Sequence, residues 1–139
     1  MKKIIAQDNP IRVAKAGDLS GVLKIAMAQP PFIPQQILDS LEQKQIANVS
    51  VYDEIMNDML EAQRNLDSDY FKIALKVFEQ PALIIWGEED RIFDAAVTDE
   101  LVKALPLPTV VTLPGIGHTP ILEAPERTAT AMREFLLLL

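Results

Sequence analysis

The chain has 139 residues, 49% of them hydrophobic and 24% charged, which is typical of a single globular domain with an apolar core. Its net charge of −7, with 13 basic residues against 20 acidic ones, argues against nucleic-acid binding, which needs clustered Lys and Arg. The absence of cysteine excludes disulfides and thiolate metal sites, and a single histidine argues against zinc. We therefore predict no metal and no cofactor, and the lack of cysteine fits a cytoplasmic location.

Amphipathic helices dominate the first 78 residues. The first predicted helix covers Asp18–Gln29 and stops at Pro30, because proline cannot continue a helix. The second covers Gln35–Ala47, and the third follows Ser50 as its N-cap. The fourth covers Tyr70–Phe78. No apolar run in the chain is long enough to span a membrane.

Two short apolar runs follow, Ala82–Trp86 and Thr109–Leu113, and both are rich in β-branched or aromatic residues. The segment between them has a helical pattern with Leu101, Val102 and Leu105 on one face, so we predict a parallel strand–helix–strand unit. A closing helix is predicted from Pro125, with these apolar side chains turned inward: Ala129, Met132, Phe135 and Leu136.

The loops after the two strands carry the chemistry. In parallel sheets the carboxyl ends of the strands meet at one edge, which brings Asp90 and His118 together there. An acid beside the only histidine could orient the ring and stabilise its charged form, as nucleophilic catalysis requires. The residues alone leave a second interpretation open. In it His118 only hydrogen-bonds a backbone carbonyl, and Asp90 only caps a loop or the next helix.

The segments Leu83–Asp94, Leu113–His118 and Glu123–Glu126 together resemble the C-terminal half of an α/β-hydrolase. The resemblance implies that Asp90 is the acid of a catalytic triad and that His118 is its base. Asp94 is the competing acid, but it lies where the next helix would need an N-cap.

The resemblance extends to the helical part, which is similar to the cap of monoacylglycerol-lipase-like enzymes. It implies a division into a cap over residues 1–79 and a C-terminal part of the hydrolase core over residues 80–139. It also implies a lipophilic ester as substrate and names four candidate contacts for the acyl chain: Phe32, Ile33, Met56 and Met59. The plainer interpretation is that most apolar residues of these helices form an ordinary core.

The chain departs from the family at the nucleophile, which stands there in G-x-S-x-G. The only glycines four residues apart are Gly17 and Gly21, with Leu19 at the centre. Two parallel strands also leave sheet edges uncovered. We therefore expect an α/β fold that is the C-terminal portion of a hydrolase and is inactive alone. Its sheet edge would be covered by a missing N-terminal half, by a second copy or by rearranged helices. The expected function is that of an acylglycerol-type carboxylic-ester hydrolase, and the alternative is a non-catalytic oligomerising or binding remnant.

Overall fold

The computed structural model describes residues 9–65, 73 and 75–139. The described residues fall into two compact units, one formed by residues 9–25 and 32–65 and the other by residues 26–31, 73 and 75–139. The short segment 26–31 therefore leaves the helical unit and belongs to the unit that contains the strands. The assignment of residues 1–79 to a cap stays a prediction.

The first unit contains three helices: α1 (Asp18–Ala26), α2 (Gln35–Ala47) and α3 (Val49–Asn65). Polar contacts tie its loops to its helices. The guanidinium of Arg12 binds both carboxylate oxygens of Asp53 on α3, each at 2.7 Å. Glu42 Oε1 on α2 accepts hydrogen bonds from the backbone N–H groups of Gly17 and Leu19, each at 2.9 Å, and so satisfies free donors at the start of α1.

Two helix boundaries differ from the prediction. Helix α1 ends at Ala26 rather than at Gln29, because the N–H groups of Ala28 and Gln29 bind the Glu123 carboxylate instead of helix carbonyls. Helix α3 begins at Val49, so Ser50 lies inside it and is not its N-cap. Asn48 separates α2 from α3, and its side chain closes α2 by donating to Lys44 O at 2.8 Å. Of the predicted fourth helix, residues 70–72 and 74 lie outside the described residues. Residues 73, 75 and 76 are helical, whereas 77 and 78 are not.

The second unit has the predicted strand–helix–strand core. Its elements are β1 (Ala82–Gly87), α4 (Ala96–Ala104), β2 (Pro108–Leu113), α5 (Pro120–Glu123) and α6 (Pro125–Leu136). Strands β1 and β2 are parallel, with Ala82 opposite Pro108 and Gly87 opposite Leu113. Helix α4 packs on β2, and α6 packs on both strands. The α/β architecture with two short parallel strands is thus confirmed.

The face that α6 turns inward agrees with the prediction only at Phe135. Thr128 and Ala131 are buried and Phe135 is half-buried, whereas Met132 is 48% exposed and Leu136 is 63% exposed. Over the first two turns the inward stripe is therefore displaced by one residue from the predicted one. The helix has apolar side chains on more than one face, so its sequence does not distinguish them. Small side chains at 128 and 131 allow close packing, and Thr128 Oγ1 donates to Pro120 O at 3.0 Å.

The outer edge of β1 has no strand beside it among the described residues. Ala82 N donates to Leu107 O at 3.0 Å and Glu88 N donates to Leu113 O at 3.1 Å, so the even-numbered residues of β1 face β2. Backbone groups alternate along a strand, and those of Leu83 and Ile85 therefore face the open edge.

In the part of the chain that the structure covers, no helix has the length and apolar character needed to cross a bilayer.

Candidate active site

The loop after β1 carries the acid. Asp90 N donates to Gly87 O at 3.2 Å, which closes a tight turn at the strand end. The neighbouring Glu89 N donates to Ile116 O in the loop after β2 at 2.8 Å. The second of these bonds joins the two loops at the same edge of the sheet, as expected for the carboxyl ends of parallel strands.

Asp90 and His118 are in direct contact. Asp90 Oδ2 lies 2.9 Å from His118 Nδ1, and the Asp90 side chain is only 5% exposed, whereas that of His118 is 34% exposed. Asp90 Oδ1 accepts from Ile92 N at 2.8 Å and from Phe93 N at 3.0 Å. Both carboxylate oxygens are thus engaged, one by the ring and one by the acid's own loop.

The environment of Asp90 favours its charged form. Burial raises the pKa of Asp90, but the hydrogen bonds from His118, Phe93 and Ile92 outweigh burial and bring the pKa below its ordinary value. An ionised carboxylate only accepts hydrogen bonds, so Nδ1 of His118 must carry the proton. In the neutral ring Nε2 then has a free lone pair that can take a proton from another group.

Phe93 packs against the histidine. The centroids of the two rings are 5.2 Å apart and their planes meet at 65°, an edge-on arrangement. Phe93 also donates its N–H to Asp90, so one residue of the acid loop contacts both members of the pair. This contact was not predicted.

Asp94 has the capping role predicted for it. Asp94 Oδ1 accepts from Ala96 N at 2.9 Å, and Asp94 O accepts from Val97 N at 2.9 Å. Both donors lie in the first turn of α4, whose free N–H groups need such partners. Asp94 therefore serves the start of a helix, while Asp90 contacts the histidine.

The four candidate acyl-chain contacts all lie in the helical unit. Phe32 is 92% exposed and Met59 is 61% exposed, whereas Ile33 and Met56 are half-buried. Met56 and Met59 are three residues apart on α3 and so share a face of that helix. Their role in substrate binding stays a prediction.

Sequence reasoning missed the role of Glu123, a half-buried residue at the end of α5. Its Oε2 accepts from Ala28 N at 2.7 Å and from Gln29 N at 2.9 Å. Gly117 N donates to both carboxylate oxygens at 3.0 and 3.1 Å. Thr119 donates to Oε1 through its N–H at 3.3 Å and its hydroxyl at 3.2 Å. The available signal was an acid five residues after the histidine in a one-turn helix bounded by prolines.

Within residues 9–65, 73 and 75–139 no group of three or more His, Cys, Asp or Glu side chains is arranged to hold a metal ion. The chemistry that the pair can perform is proton transfer: Nε2 accepts a proton, Asp90 stabilises the resulting imidazolium, and the proton can later be returned to a leaving group.

The chain is similar in sequence to proteins that are named as lipases. Lipase 1 of Psychrobacter immobilis is 25% identical over 133 residues, which are 93% of this chain and 39% of that protein. A monoacylglycerol lipase of Mus musculus is 28% identical over 134 residues, 94% of this chain and 38% of that protein. No family model matches the sequence.

A solved structure matches most of the chain. It is that of a protein assigned as a lipase from Acinetobacter baumannii AYE, and it is 32% identical with a TM-score of 0.88. The match covers 92% of this chain and 43% of that protein. The chain thus spans about 40% of the length of the relatives it matches.

Proposed function

Since the chain belongs to the α/β-hydrolase family and corresponds to its C-terminal portion, we propose that it supplies the acid and the base of a carboxylic-ester hydrolase of the lipase type. The observation that carries this proposal is the 2.9 Å contact between Asp90 Oδ2 and His118 Nδ1 at the carboxyl ends of β1 and β2. Asp90 is the orienting acid and His118 is the general base and then the general acid.

The proposed mechanism divides the work between the two side chains. Asp90 fixes the tautomer of His118, because its ionised carboxylate accepts the proton of Nδ1. Nε2 takes the proton of a serine hydroxyl as that oxygen attacks the ester carbonyl. The same proton then goes to the departing alcohol, which leaves an acyl-enzyme for water to hydrolyse by the same two steps.

The nucleophile is proposed to lie outside this sequence. No G-x-S-x-G is present. Ser20 lies within α1, Ser40 within α2 and Ser50 within α3, so none of them stands at a strand-to-helix turn. Ser68 lies outside the described residues. The serine and the oxyanion donors would come from an N-terminal half that lies outside this sequence, and we expect these 139 residues to have no ester turnover alone.

The proposed substrate is a lipophilic ester of the acylglycerol class. The relatives named as lipases and as a monoacylglycerol lipase support this class. So does the apolar surface of the helical unit, where Phe32 and Met59 are exposed. Exposure of a phenylalanine side chain to water is unfavourable, and its burial against an acyl chain would lower the free energy of the complex.

A chimera tests the proposal. The matched portion of the Acinetobacter baumannii protein is replaced by this chain, and hydrolysis of a short-chain nitrophenyl ester is compared with that of the unmodified host. We expect turnover by the chimera and none by its His118→Ala variant. A folded chimera with the same turnover after His118→Ala would remove His118 from the mechanism.

The open edge of β1 favours a second candidate function, in which the chain is a non-catalytic remnant that associates with itself. The outward backbone groups of Leu83 and Ile85 can pair with a strand of another chain. Sedimentation of the isolated chain separates the two candidates. A dimer that Ile85→Pro converts to monomer would support the second one, because proline removes an outward N–H group. A monomer for the unaltered chain would count against it.

A further inference from the structure

We propose that Glu123 is a positioning residue for His118, because its carboxylate clamps the backbone on both sides of the histidine to the segment 26–29. This inference rests on the proposed function, in which His118 transfers protons. Glu123 itself forms no hydrogen bond with the His118 ring or with Asp90, which also lie among the described residues.

Three consecutive N–H groups of the histidine turn are held by hydrogen bonds, two by Glu123 and one by Ala26 O. Gly117 N donates to Glu123 at 3.0 Å and Thr119 N donates to it at 3.3 Å. Between them His118 N donates to Ala26 O at 2.7 Å. With all three donors held, the peptide planes around His118 cannot rotate freely, and the direction of its Cα–Cβ bond is fixed.

The segment 26–29 is the other half of the clamp. The N–H groups of Ala28 and Gln29 bind the same carboxylate, and Gln29 Nε2 donates to Gly115 O at 3.0 Å. The backbones approach so closely that a β-carbon on Gly117 would lie 2.6 Å from Ala26 O. The segment therefore abuts the turn directly, and the carboxylate joins the two chain segments.

Only a carboxylate satisfies this set of donors. Four backbone N–H groups and one hydroxyl converge on Glu123, whose two ionised oxygens accept hydrogen bonds and donate none. Burial raises the pKa of Glu123, but these backbone donors outweigh burial and bring the pKa below its ordinary value. Glutamine at this position has the same shape but would direct an NH₂ group at some of the donors, where it repels them.

If Glu123 only stabilised the loop, its replacement would leave the tautomer of His118 in the folded chain unchanged. A positioning residue has a further effect, because a small rotation of the turn separates Nδ1 from Asp90. The ring then loses the partner that selects its tautomer, so the tautomer of His118 in the folded chain distinguishes the two roles.

The single histidine makes this measurement direct, since one pair of ring nitrogens gives all imidazole signals in a ¹H–¹⁵N spectrum. The unaltered chain should show a protonated Nδ1 and an unprotonated Nε2 in the neutral ring. Glu123→Gln should lose the Nδ1–H signal and give a mixture of tautomers. Glu126→Gln, which alters an exposed carboxylate three residues along, should give the unaltered spectrum. Unaltered ring signals in a folded Glu123→Gln chain overturn the proposal.

A measurement on the unaltered chain covers the case in which Glu123→Gln does not fold. During acid titration the ¹³C signal of the Glu123 carboxyl should shift together with the amide signals of Ala28, Gln29 and Gly117. The ¹³C signal of the Asp90 carboxyl is followed beside it, because Asp90 contacts the ring and its pKa is lowered as well. The ring signals of His118 should follow the Glu123 carboxyl, and ring signals that follow the Asp90 carboxyl alone overturn the proposal.

The chimera adds a kinetic test. Glu123→Gln should lower kcat by about 10²-fold with KM unchanged, the effect of misplacing a catalytic group by about 1 Å. An unaltered kcat contradicts the positioning role. An inactive chimera with Glu123 in place contradicts the proposed function instead, and the ring spectrum of the chain still decides the role of Glu123.

Discussion

Gly87 and Gly117 touch through their backbones. A β-carbon on Gly87 would lie 2.1 Å from Gly117 O and 2.4 Å from Ile116 O, far inside any real contact. Gly87 ends the strand that leads to Asp90, and Gly117 immediately precedes His118. The spacing between the acid loop and the histidine loop is therefore set by main-chain contact, and the 2.9 Å bond between Asp90 and His118 depends on it.

The first prediction is that Gly87→Ala destabilises the second unit. The methyl group meets backbone atoms, which cannot rotate away as the end of a side chain could, so we expect a loss of about 1–3 kcal/mol or more in the free energy of unfolding. The fluorescence of Trp86, the only tryptophan, reports unfolding in urea beside the substituted position.

Gly21→Ala is the matched control for this substitution. Gly21 lies in α1, and a β-carbon there would meet nothing within 4 Å. Because alanine favours helix over glycine by about 1 kcal/mol, the Trp86 transition should be unchanged or move to higher urea. Equal urea midpoints for Gly87→Ala and the unaltered chain would contradict the close approach.

The second prediction concerns the choice of acid. In the chimera, Asp90→Asn should lower kcat by on the order of 10⁴-fold, because the amide removes the charge and no longer selects the tautomer of His118. Asp94→Asn should leave kcat unchanged, since Asp94 caps α4. Rates of ester hydrolysis measure both, and a larger loss from Asp94→Asn would reverse the assignment.

How far the sequence determined this site depends on the range of each interaction. The strands were predictable from short apolar runs, and the parallel order then placed Asp90 near His118, because both follow strand ends. The role of Asp94 was also predictable, because its interactions are short in range. Its bonds to Ala96 and Val97 are local and follow capping rules.

The clamp at Glu123 was not predictable in this way. Glu123 binds Ala28 and Gln29, which are 95 and 94 residues away, and no periodic pattern connects such distant positions. The same contact explains why α1 stops at Ala26, since a helical pattern that continues to Gln29 is overridden by a tertiary hydrogen bond.

The third prediction is loss of stability in acid. Asp90 and Glu123 both have folded-state pKa values below their ordinary ones. Each contributes stability that is complete above the unfolded pKa, at about pH 4, and that disappears as the pH falls through the folded pKa. The urea midpoint reported by Trp86 should therefore decrease below about pH 5. Glu123→Gln should have a lower midpoint at pH 7 and a shallower dependence on pH, and an unchanged dependence would contradict the lowered pKa of Glu123.

The fourth prediction concerns the acyl chain. If Phe32 and Met59 contact it, each replacement by alanine removes apolar contact worth about 1–3 kcal/mol with a long-chain ester and almost nothing with an acetyl ester. In the chimera, the ratio of kcat/KM for a long-chain ester to that for an acetyl ester should fall at least about fivefold for either variant. Ile121→Ala is the control, because Ile121 is 66% exposed on α5 and was not assigned to the substrate. A fall of equal size for Ile121→Ala would show that general loss of apolar surface, and not acyl-chain contact at Phe32 and Met59, determines the preference.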